Sequence, residues 1–189
     1  ESISNASGFQ FSIAQASPIS GGYTNLAWHL QGFTKTSSHN RSEIHYFVKL
    51  NSADKAAMFA AECAGLAALA ATRTVRVPRV IACGVADQHA YLVLEHFNLC
   101  RHGNNELLGR QLAALHRVQS AQFGWDQDNT LSLTPQLNTR SPDWLSFWRE
   151  QRLGFQLELA ACNGYHGKVQ ELGRKVMDAY FESLAQDQV

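Results

Sequence analysis

Five strand-forming segments surround one helix-forming segment in the first half of the chain, and this order constrains the fold more than any other feature. The helix-forming segment follows Ser52 and Asp54, residue types that cap helix N-termini, and continues to about Ala70. Within it, apolar side chains such as Phe59 and Leu66 recur at helical spacing. The short apolar or alternating patterns around it predict an α+β fold, in which a five-stranded antiparallel sheet packs against one helix. The strand-forming segments are residues 9–16, 23–30, 44–50, 79–85 and 90–97.

The chain changes character after Phe97, where a polar linker precedes further helix-forming segments. We therefore expect a first domain of residues 1–97 and a mostly helical second part of residues 98–189. Two polar stretches, residues 33–43 and 123–142, are predicted to be loops. No stop signal ends the last helix before Val189, so we expect the native chain to continue there or a partner to cover its apolar stripe. The predicted helices and inward stripes are 105–119 with Leu108, Leu112 and Leu115; 143–161 with Trp144, Trp148, Phe155 and Leu159; and 168–184 with Val169, Leu172, Val176 and Tyr180.

Composition argues against several classes of function. The 189 residues carry no net charge and are 45% apolar, which supports a core but gives no support for nucleic acid or a membrane as a partner. No CxxC pair or metal-ligand spacing occurs, so no metal site is predicted, and no apolar run is expected to span a bilayer. The four cysteines are expected to be small buried groups in a reducing, cytoplasmic compartment. The oligomeric state stays open.

Lys49 lies within the strand-forming segment YFVKL, on the same face as Phe47 and His45. By itself, such a lysine is typical of an edge strand from which the amine reaches water. Glu62 changes this interpretation, because it lies between Phe59 and Leu66, close to the apolar stripe of the helix. A carboxylate in that position needs a cationic partner, since desolvating it alone is costly. Lys49 is well placed to be that partner.

A glycine pair, Gly21 and Gly22, separates the first two strand-forming segments. Such a pair predicts a hairpin turn as readily as a phosphate-binding loop. When Lys49 and Glu62 follow in that order, the set matches the phosphate-positioning residues of a protein-kinase-like small lobe. In such a lobe the glycines cover the nucleotide phosphates, the lysine holds them, and the glutamate orients the lysine.

The end of the fifth strand-forming segment falls where such kinases have their hinge. There Glu95, His96 and Phe97 would present backbone groups to an adenine edge, with Leu94 behind them. An ordinary strand end is the simpler interpretation. It is the preceding glycine, lysine and glutamate residues that favour a hinge.

Taken in order along the chain, seven segments resemble the fructosamine kinase (ketosamine 3-kinase) family. The Phe-Gly…Thr-Pro-Gln…Asn segment, followed by an Asp-Trp helix and an Arg-Leu pair, separates this family from choline kinases and aminoglycoside phosphotransferases, which share the fold. The matching segments are GGYTNLAWHL, YFVKL, MFAAECAGLAALAATRTVRVPRVIACG, AYLVLEHF, LGRQLAALH, FGWDQDNTLSLTPQLNT and DWLSFWREQRLGFQLELA.

The resemblance implies a protein-kinase-like fold, with a nucleotide-binding N-lobe and a partial helical C-lobe. It also implies transfer of the ATP γ-phosphate, with Mg²⁺, to a sugar hydroxyl of a ketosamine such as a fructosamine or ribulosamine. The substrate would be a small molecule or a glycated protein, and the outcome deglycation, a form of protein repair. On this resemblance Lys49 and Glu62 form the catalytic ion pair, and Gln136 and Asn138 match a stretch near the sugar substrate. The residues matched to nucleotide binding are Gly21, Gly22, Lys49, Glu95, His96 and Phe97.

Two departures from the family pattern limit these expectations. Tyr23 follows the glycine pair where many eukaryotic members have a cysteine with a proposed redox-switch function, so that regulation is not expected. The His-Gly-Asp catalytic loop and the Asp-Pro metal motif of the family come after the last residue of this chain. We therefore expect a truncated fragment that is inactive by itself and binds nucleotide weakly at most. The alternatives are another kinase-like phosphotransferase, acting on an aminoglycoside, choline or homoserine, and a non-catalytic pseudokinase-like binding module.

Overall fold

The computed structural model describes residues 1–37, 40–100 and 102–186. Parts of the predicted polar loop, linker and C-terminal segment therefore lie outside the described residues. The chain forms two compact units, Glu1–Gln119 and Ser120–Val189. The domain boundary expected after Phe97 stays a prediction.

The first unit is built on a five-stranded antiparallel sheet. Its strands are β1 (Gln10–Ile19), β2 (Leu26–Ser37), β3 (Asn40–Ser52), β4 (Val80–Ala86) and β5 (His89–Glu95), in the spatial order β1-β2-β3-β5-β4. Helix α2 (Ala56–Thr72) follows β3 after a short 3₁₀ turn, and α3 (Asn105–His116) comes after β5. The predicted α+β fold is thus confirmed. The sequence did not predict the short N-terminal helix α1 (Ser2–Ser7).

The two faces of this sheet bury different apolar clusters. Tyr46 and Val48 of β3 belong to one cluster, whereas Leu92 and Leu94 of β5 pack against Phe59 of α2 in the other. Phe59 is only 1% exposed and Leu92 is completely buried. Burying one such side chain stabilises a fold by about 1.5–3 kcal/mol. Because Leu92 pairs with Lys49 across β3 and β5, Lys49 lies on the face that α2 covers.

The predicted loop at residues 33–43 is wrong wherever the structure describes it. β2 continues to Ser37 and β3 begins at Asn40, with Phe33 paired to Glu43 and Lys35 to Arg41. Residues 38 and 39 lie outside the described part. Polar and charged side chains suit a strand pair that meets water, and Arg41 stacks its guanidinium 4.3 Å from the Phe33 ring centre. The polar composition therefore indicated exposure, not a loop.

Several burial predictions also fail. Cys83, Cys100 and Cys162 are exposed, and only Cys63 is partly buried among the four cysteines. On α3, Leu108 and Leu112 are 53% and 45% exposed, so they are not inward-facing. Burial raises the pKa of the Cys63 thiol to about 12, with a further contribution from its hydrogen bond to Cys83.

The segment Ala53–Thr72 is long and apolar enough to span a membrane by length and composition, contrary to expectation. Its packing provides another explanation, since Phe59, Cys63 and Leu66 contact the sheet. A core helix passes the same test of length and composition.

The second unit begins with an ordered polar loop. Residues Phe123 and Ser141 pair at its base, and β6 (Asn129–Leu131) and β7 (Thr134–Gln136) form a hairpin within it. The stretch 123–142 is therefore more regular than predicted. A continuous helical segment follows, made of α4 (Trp144–Trp148), a π-helical stretch (Arg149–Gly154) and α5 (Phe155–Cys162), before α6 (Lys168–Gln186).

The inward face of α6 differs from the predicted stripe. Val169, Leu172 and Val176 are each about half exposed, so their predicted burial is wrong. Tyr180 is partly buried as predicted, and its hydroxyl accepts a hydrogen bond from Trp144 Nε1 at 2.8 Å. Gly173 packs against Leu157 of α5, where a Cβ atom would clash. The absence of a side chain at Gly173 thus allows this face of α6 to approach α5 closely.

Candidate functional site

The central feature of the candidate site is an ion pair between a strand and a helix. Lys49 Nζ of β3 lies 2.6 Å from Glu62 Oε1 of α2. The lysine and glutamate side chains are 25% and 30% exposed, so the pair is partly buried and remains accessible from the cleft beside it. The structure therefore brings together the two residues that the sequence predicted to be partners.

A largely apolar cleft of about 420 Å³ opens beside the Lys49–Glu62 pair. Its polar and charged lining residues are Lys49, Glu62, Glu95 and His96. A flat heterocycle with polar edges suits such a slot, because apolar walls bury its faces while a few polar groups fix its orientation. The apolar lining comprises Ile19, Phe47, Leu66, Pro78, Leu94, Phe97 and Leu99.

The glycine loop, residues 20–25, connects β1 and β2 and forms a second cavity of about 340 Å³ that also reaches Lys49. Gly21 has a backbone φ of +107°, a conformation that side-chain-bearing residues rarely adopt. A Cβ on Gly22 would lie 3.0 Å from the Asn25 carbonyl oxygen, so the turn is tight at this point. Both glycines are exposed, which leaves their backbone amides accessible to a ligand in this cavity.

Glu95 anchors the predicted hinge to the segment before β4. Its backbone N–H donates to the Arg79 carbonyl at 2.9 Å, and its carboxylate accepts from Arg76 Nη2, also at 2.9 Å. Burial alone would raise the pKa of Glu95, but the hydrogen bonds from Arg79 and Arg76 and the charges of both arginines lower it. Because the Glu95 amide is already paired, any adenine contact must use other backbone groups of the hinge.

His96 joins two other histidines on the Lys49 face of the sheet. Its ring stacks on that of His29, with 4.2 Å between centroids, and His29 Nε2 lies 2.8 Å from His45 Nδ1. Glu43 Oε1 lies 3.3 Å from His45 Nε2 at the far end of this row. Burial lowers the pKa of His96, and the neighbouring His29 and His45 lower it further. The three histidine rings thus form a row that runs from the hinge along β2 and β3.

Phe97 completes the hinge, with the Arg76 guanidinium 4.4 Å from its ring centre. Phe97 also lines the cleft beside His96. The structure thus gathers every residue matched to the nucleotide around two cavities that share Ile19, Phe47 and Lys49.

Gln136 and Asn138 belong to the second unit, where both serve internal hydrogen bonds. Asn138 is 3% exposed, and its Nδ2 donates to the Gln127 carbonyl and to Asn129 Oδ1. Gln136 Nε2 also donates to Asn129 Oδ1, at 2.9 Å. The structure therefore gives both side chains a role in ordering the loop, and their substrate-side location stays a prediction.

Arg152, in the π-helical stretch, completes the environment of Asn138. Its Nη2 donates to Asn138 Oδ1 at 2.8 Å, and its guanidinium lies 4.4 Å from the Phe147 ring centre. Burial lowers the pKa of this arginine. The arginine thus joins the loop to the helix.

The sequence interpretation placed His45 on the Lys49 face but gave no functional role to His45, His29 or Asn51. A signal for them existed, because β3 residues two and four positions from Lys49 must share its face. Asn51 and His45 satisfy this spacing, and His29 pairs with Phe47 across the β2–β3 ladder. Their importance depends on neighbours that the spacing does not identify.

The residues of the first unit fit the expected nucleotide better than the expected metal. Lys49 lines both the apolar cleft and the glycine-loop cavity. The apolar cleft suits a nucleotide base, and the lysine with the glycine loop suits its phosphates. Among the residues that the structure describes, no group of three or more His, Cys, Asp or Glu side chains could hold a metal ion. The described residues therefore do not fit a Mg²⁺ site of their own.

Comparison with known proteins relates the whole chain to one family. The family model described as fructosamine kinase matches residues 1–189. A protein named probable ketoamine kinase from Synechocystis sp. is 44% identical over 164 residues, which cover 85% of this chain and 52% of that protein. The chloroplastic protein-ribulosamine 3-kinase of Arabidopsis thaliana is 40% identical over 152 residues, covering 78% of this chain and 44% of its own length.

Solved structures agree with the fold. A crystal structure from Haemophilus somnus, named as a fructosamine-3-kinase, superposes with a TM-score of 0.77 at 27% identity, covering 93% of this chain and 58% of that one. A second, from Thermobifida fusca, has a TM-score of 0.75 at 24% identity and covers 95% of this chain and 60% of that one. The present chain spans about half the length of the curated relatives it matches.

Proposed function

Because this chain belongs to the fructosamine kinase family, we propose that it forms the nucleotide-binding part of a kinase that uses ATP to phosphorylate a sugar hydroxyl of ketosamines. The observation that carries this proposal is the 2.6 Å ion pair between Lys49 and Glu62, placed between a glycine loop and an apolar cleft. An ion pair in this position is typical of phosphoryl-transfer enzymes, which depend on positioning and electrostatic stabilisation.

Each part of the cleft has a distinct role in this proposal. The apolar cleft that Phe47 and Leu94 line holds the adenine ring, and the hinge at His96 and Phe97 presents backbone groups to its polar edge. Lys49 binds the phosphates, because its ammonium group faces both cavities. Glu62 accepts a hydrogen bond from Lys49 and thereby orients it.

The backbone amides at Gly21 and Gly22 complete the phosphate site. Amides that converge on a turn bind anions through their partial positive charge, and glycine lets the phosphate come close to the backbone. ATP supplies the phosphoryl group when bound. The residues of this chain hold and orient it.

The names of the relatives support a ketosamine substrate. One is a ketoamine kinase by name, and another a protein-ribulosamine 3-kinase. We propose a fructosamine or ribulosamine as substrate, either free or attached to protein, with deglycation as the outcome in the cytoplasm. Gln136 and Asn138 order the loop that we place on the substrate side.

Transfer requires groups beyond those assembled around this cleft. Phosphoryl-transfer enzymes use a carboxylate to position the acceptor hydroxyl and another to hold Mg²⁺. We place both in the part of the family's sequence that follows this chain. The chain by itself then binds ATP but transfers phosphate very slowly or not at all.

The test compares Lys49→Met with Lys55→Met in an ATP titration of this chain. Lys55 lies on the 3₁₀ turn before α2, where it pairs with Asp54 at 2.8 Å, and it provides a matched loss of one positive charge. We expect Lys49→Met to weaken ATP binding about tenfold or more and Lys55→Met to change it less than about twofold. Equal effects would show that Lys49 has no specific phosphate role.

Substrate class is tested in the complete protein that contains this chain. We expect turnover of a ribulosamine or fructosamine, and much less of choline, homoserine or an aminoglycoside. Turnover of the latter compounds alone would favour the other phosphotransferases. ATP binding without any turnover in the complete protein would favour a pseudokinase-like binding module.

A further inference from the structure

We infer that Asn51 is a positioning residue that holds the glycine loop in its phosphate-binding shape. Asn51 lies two residues after Lys49 on β3, outside the set that contacts the proposed nucleotide cleft. Its side chain connects the strand that carries the lysine to the loop that carries the glycines. The inference rests on the proposed nucleotide function of this loop.

The contacts of Asn51 use the whole amide group. Nδ2 donates one hydrogen bond to the Thr24 carbonyl at 3.0 Å and another to Asn25 Oδ1 at 2.7 Å. On the other side, Oδ1 accepts from the Ser52 backbone N–H at 2.8 Å. A backbone donor and a backbone acceptor thus determine which end of the amide points to the loop.

The two acceptors lie at the point where the glycine loop turns into β2. Thr24 and Asn25 directly follow Tyr23, and the Asn25 carbonyl oxygen is the atom that a Cβ on Gly22 would approach to 3.0 Å. Holding Thr24 and Asn25 therefore restrains the tight turn at Gly22. Backbone amides bind phosphate well only if they already point in the required direction, since ordering a loose loop would reduce affinity.

Open space lies on both sides of the loop, so side-chain contacts such as those of Asn51 contribute more to its shape. One cavity, of about 340 Å³, lies on the Lys49 side, and another of about 340 Å³ lies on the Asn51 side. Loops with this much open space around them have few packing contacts to keep them in one conformation. The Asn51 amide supplies directional contacts instead.

The test is the nearly isosteric substitution Asn51→Asp. It keeps the acceptor for the Ser52 N–H but places a carboxylate oxygen against the Thr24 and Asn25 oxygens, so the loop loses its anchor while the strand end keeps its hydrogen bond. We measure dissociation constants for ATP and for adenosine, which lacks the phosphates. We expect about tenfold weaker ATP binding, equivalent to about 1.4 kcal/mol, and adenosine binding unchanged within about twofold.

Two further variants separate anchoring from charge and from misfolding. Gln88→Glu adds the same negative charge beside the same cavity, where Gln88 contributes to the lining, and it should change ATP binding less than about twofold. Asn25→Ala removes one of the two anchoring hydrogen bonds and should weaken ATP binding about threefold. It also provides the test if Asn51→Asp does not fold.

Each outcome has a definite meaning. An unchanged ratio of ATP to adenosine affinity in Asn51→Asp, or an equal loss in Gln88→Glu, would overturn the anchoring role and leave the proposed function intact. If Asn51→Asp does not fold, an unchanged ratio in Asn25→Ala has the same meaning. A wild-type chain that binds ATP no better than adenosine would overturn the proposed function, and with it this inference.

Discussion

The two compact units of this protein are stabilised by different kinds of contact. In the first, Phe59 and Leu92 are fully buried among other apolar side chains on one face of the sheet. In the second, one of the two buried side chains described is an amide, Asn138, and the other is Phe147. Arg152 contacts both of them, by a hydrogen bond to Asn138 and by stacking on Phe147.

This difference determines how each unit should respond to substitution. Apolar packing is non-directional and depends mainly on the volume that is filled. A buried polar network depends on which atom donates and which accepts, so a change of atom type is costly even at constant volume. Volume should therefore govern tolerance in the first unit, and atom identity in the second.

The largest effect is expected from Phe59→Ala in the first unit. Removing a fully buried aromatic ring should lower the free energy of unfolding by about 3–5 kcal/mol, because the cavity cannot close completely. Denaturant unfolding measures this loss. Leu108→Ala, at a position 53% exposed on α3, is the control and should cost less than about 0.5 kcal/mol. A small loss in Phe59→Ala would contradict the packing of α2 on the sheet.

Asn138→Leu should have the next largest effect, although it keeps the number and the branching of the side-chain heavy atoms. It leaves Arg152 and the Gln127 carbonyl without their amide partner, which should cost about 1–3 kcal/mol. Three of the four tryptophans, Trp125, Trp144 and Trp148, lie in this unit, so fluorescence in a Trp28→Phe background reports its unfolding. The matched swap in the first unit, Leu92→Met, should cost less than about 1.5 kcal/mol. If Leu92→Met proves the more costly of the two, the contrast between the units fails.

Lys49→Met should destabilise the first unit by only about 1 kcal/mol, because both members of the ion pair remain partly exposed. A double-mutant cycle with Glu62→Gln measures the coupling between the two side chains. This small coupling would contrast with the large expected loss of ATP binding. A coupling of several kcal/mol would instead indicate that the pair is mainly structural.

The smallest effect concerns pH. Burial, together with His29 and His45, lowers the pKa of His96 below its ordinary value, so the unfolded chain binds this proton more readily than the folded chain. The contribution of His96 is therefore present above about pH 6.5 and declines as the pH falls below that value. Between pH 7.5 and pH 5.5, the melting temperature of the wild type should fall further than that of His96→Gln. Equal decreases would rule out this contribution.

Much of the first unit could be predicted from the sequence. The α+β fold and the family resemblance are both confirmed, and the spacing of Lys49 and Glu62 indicated a contact that the structure contains. These predictions succeeded because apolar periodicity is a local signal, and because a carboxylate near an apolar stripe needs a cation. The histidine row and the Asn51 anchor were less accessible, since each depends on atoms brought together across strands.

The second unit was harder to predict, and α6 shows why. Its sequence has apolar residues on more than one face, and the predicted stripe containing Val169 and Leu172 is half exposed. The face that packs contains Gly173, where an added Cβ would clash with a methyl group of Leu157, so a larger residue would require Leu157 to move. Periodicity cannot rank such faces, because close approach depends on the shape of the neighbouring helix.

By itself, the sequence determined the order in which the strands and the helix of the first unit follow one another. It also determined that Glu62 needs a cation. The tertiary structure alone decided that the largely polar residues 33–37 and 40–43 extend two strands, and that buried Asn138 hydrogen-bonds to Arg152. It also decided that Asn51 connects the strand of Lys49 to the glycine loop. Hydrophobicity is a property of each residue and its spacing, whereas a directional hydrogen bond exists only when two distant parts of the chain present matching atoms.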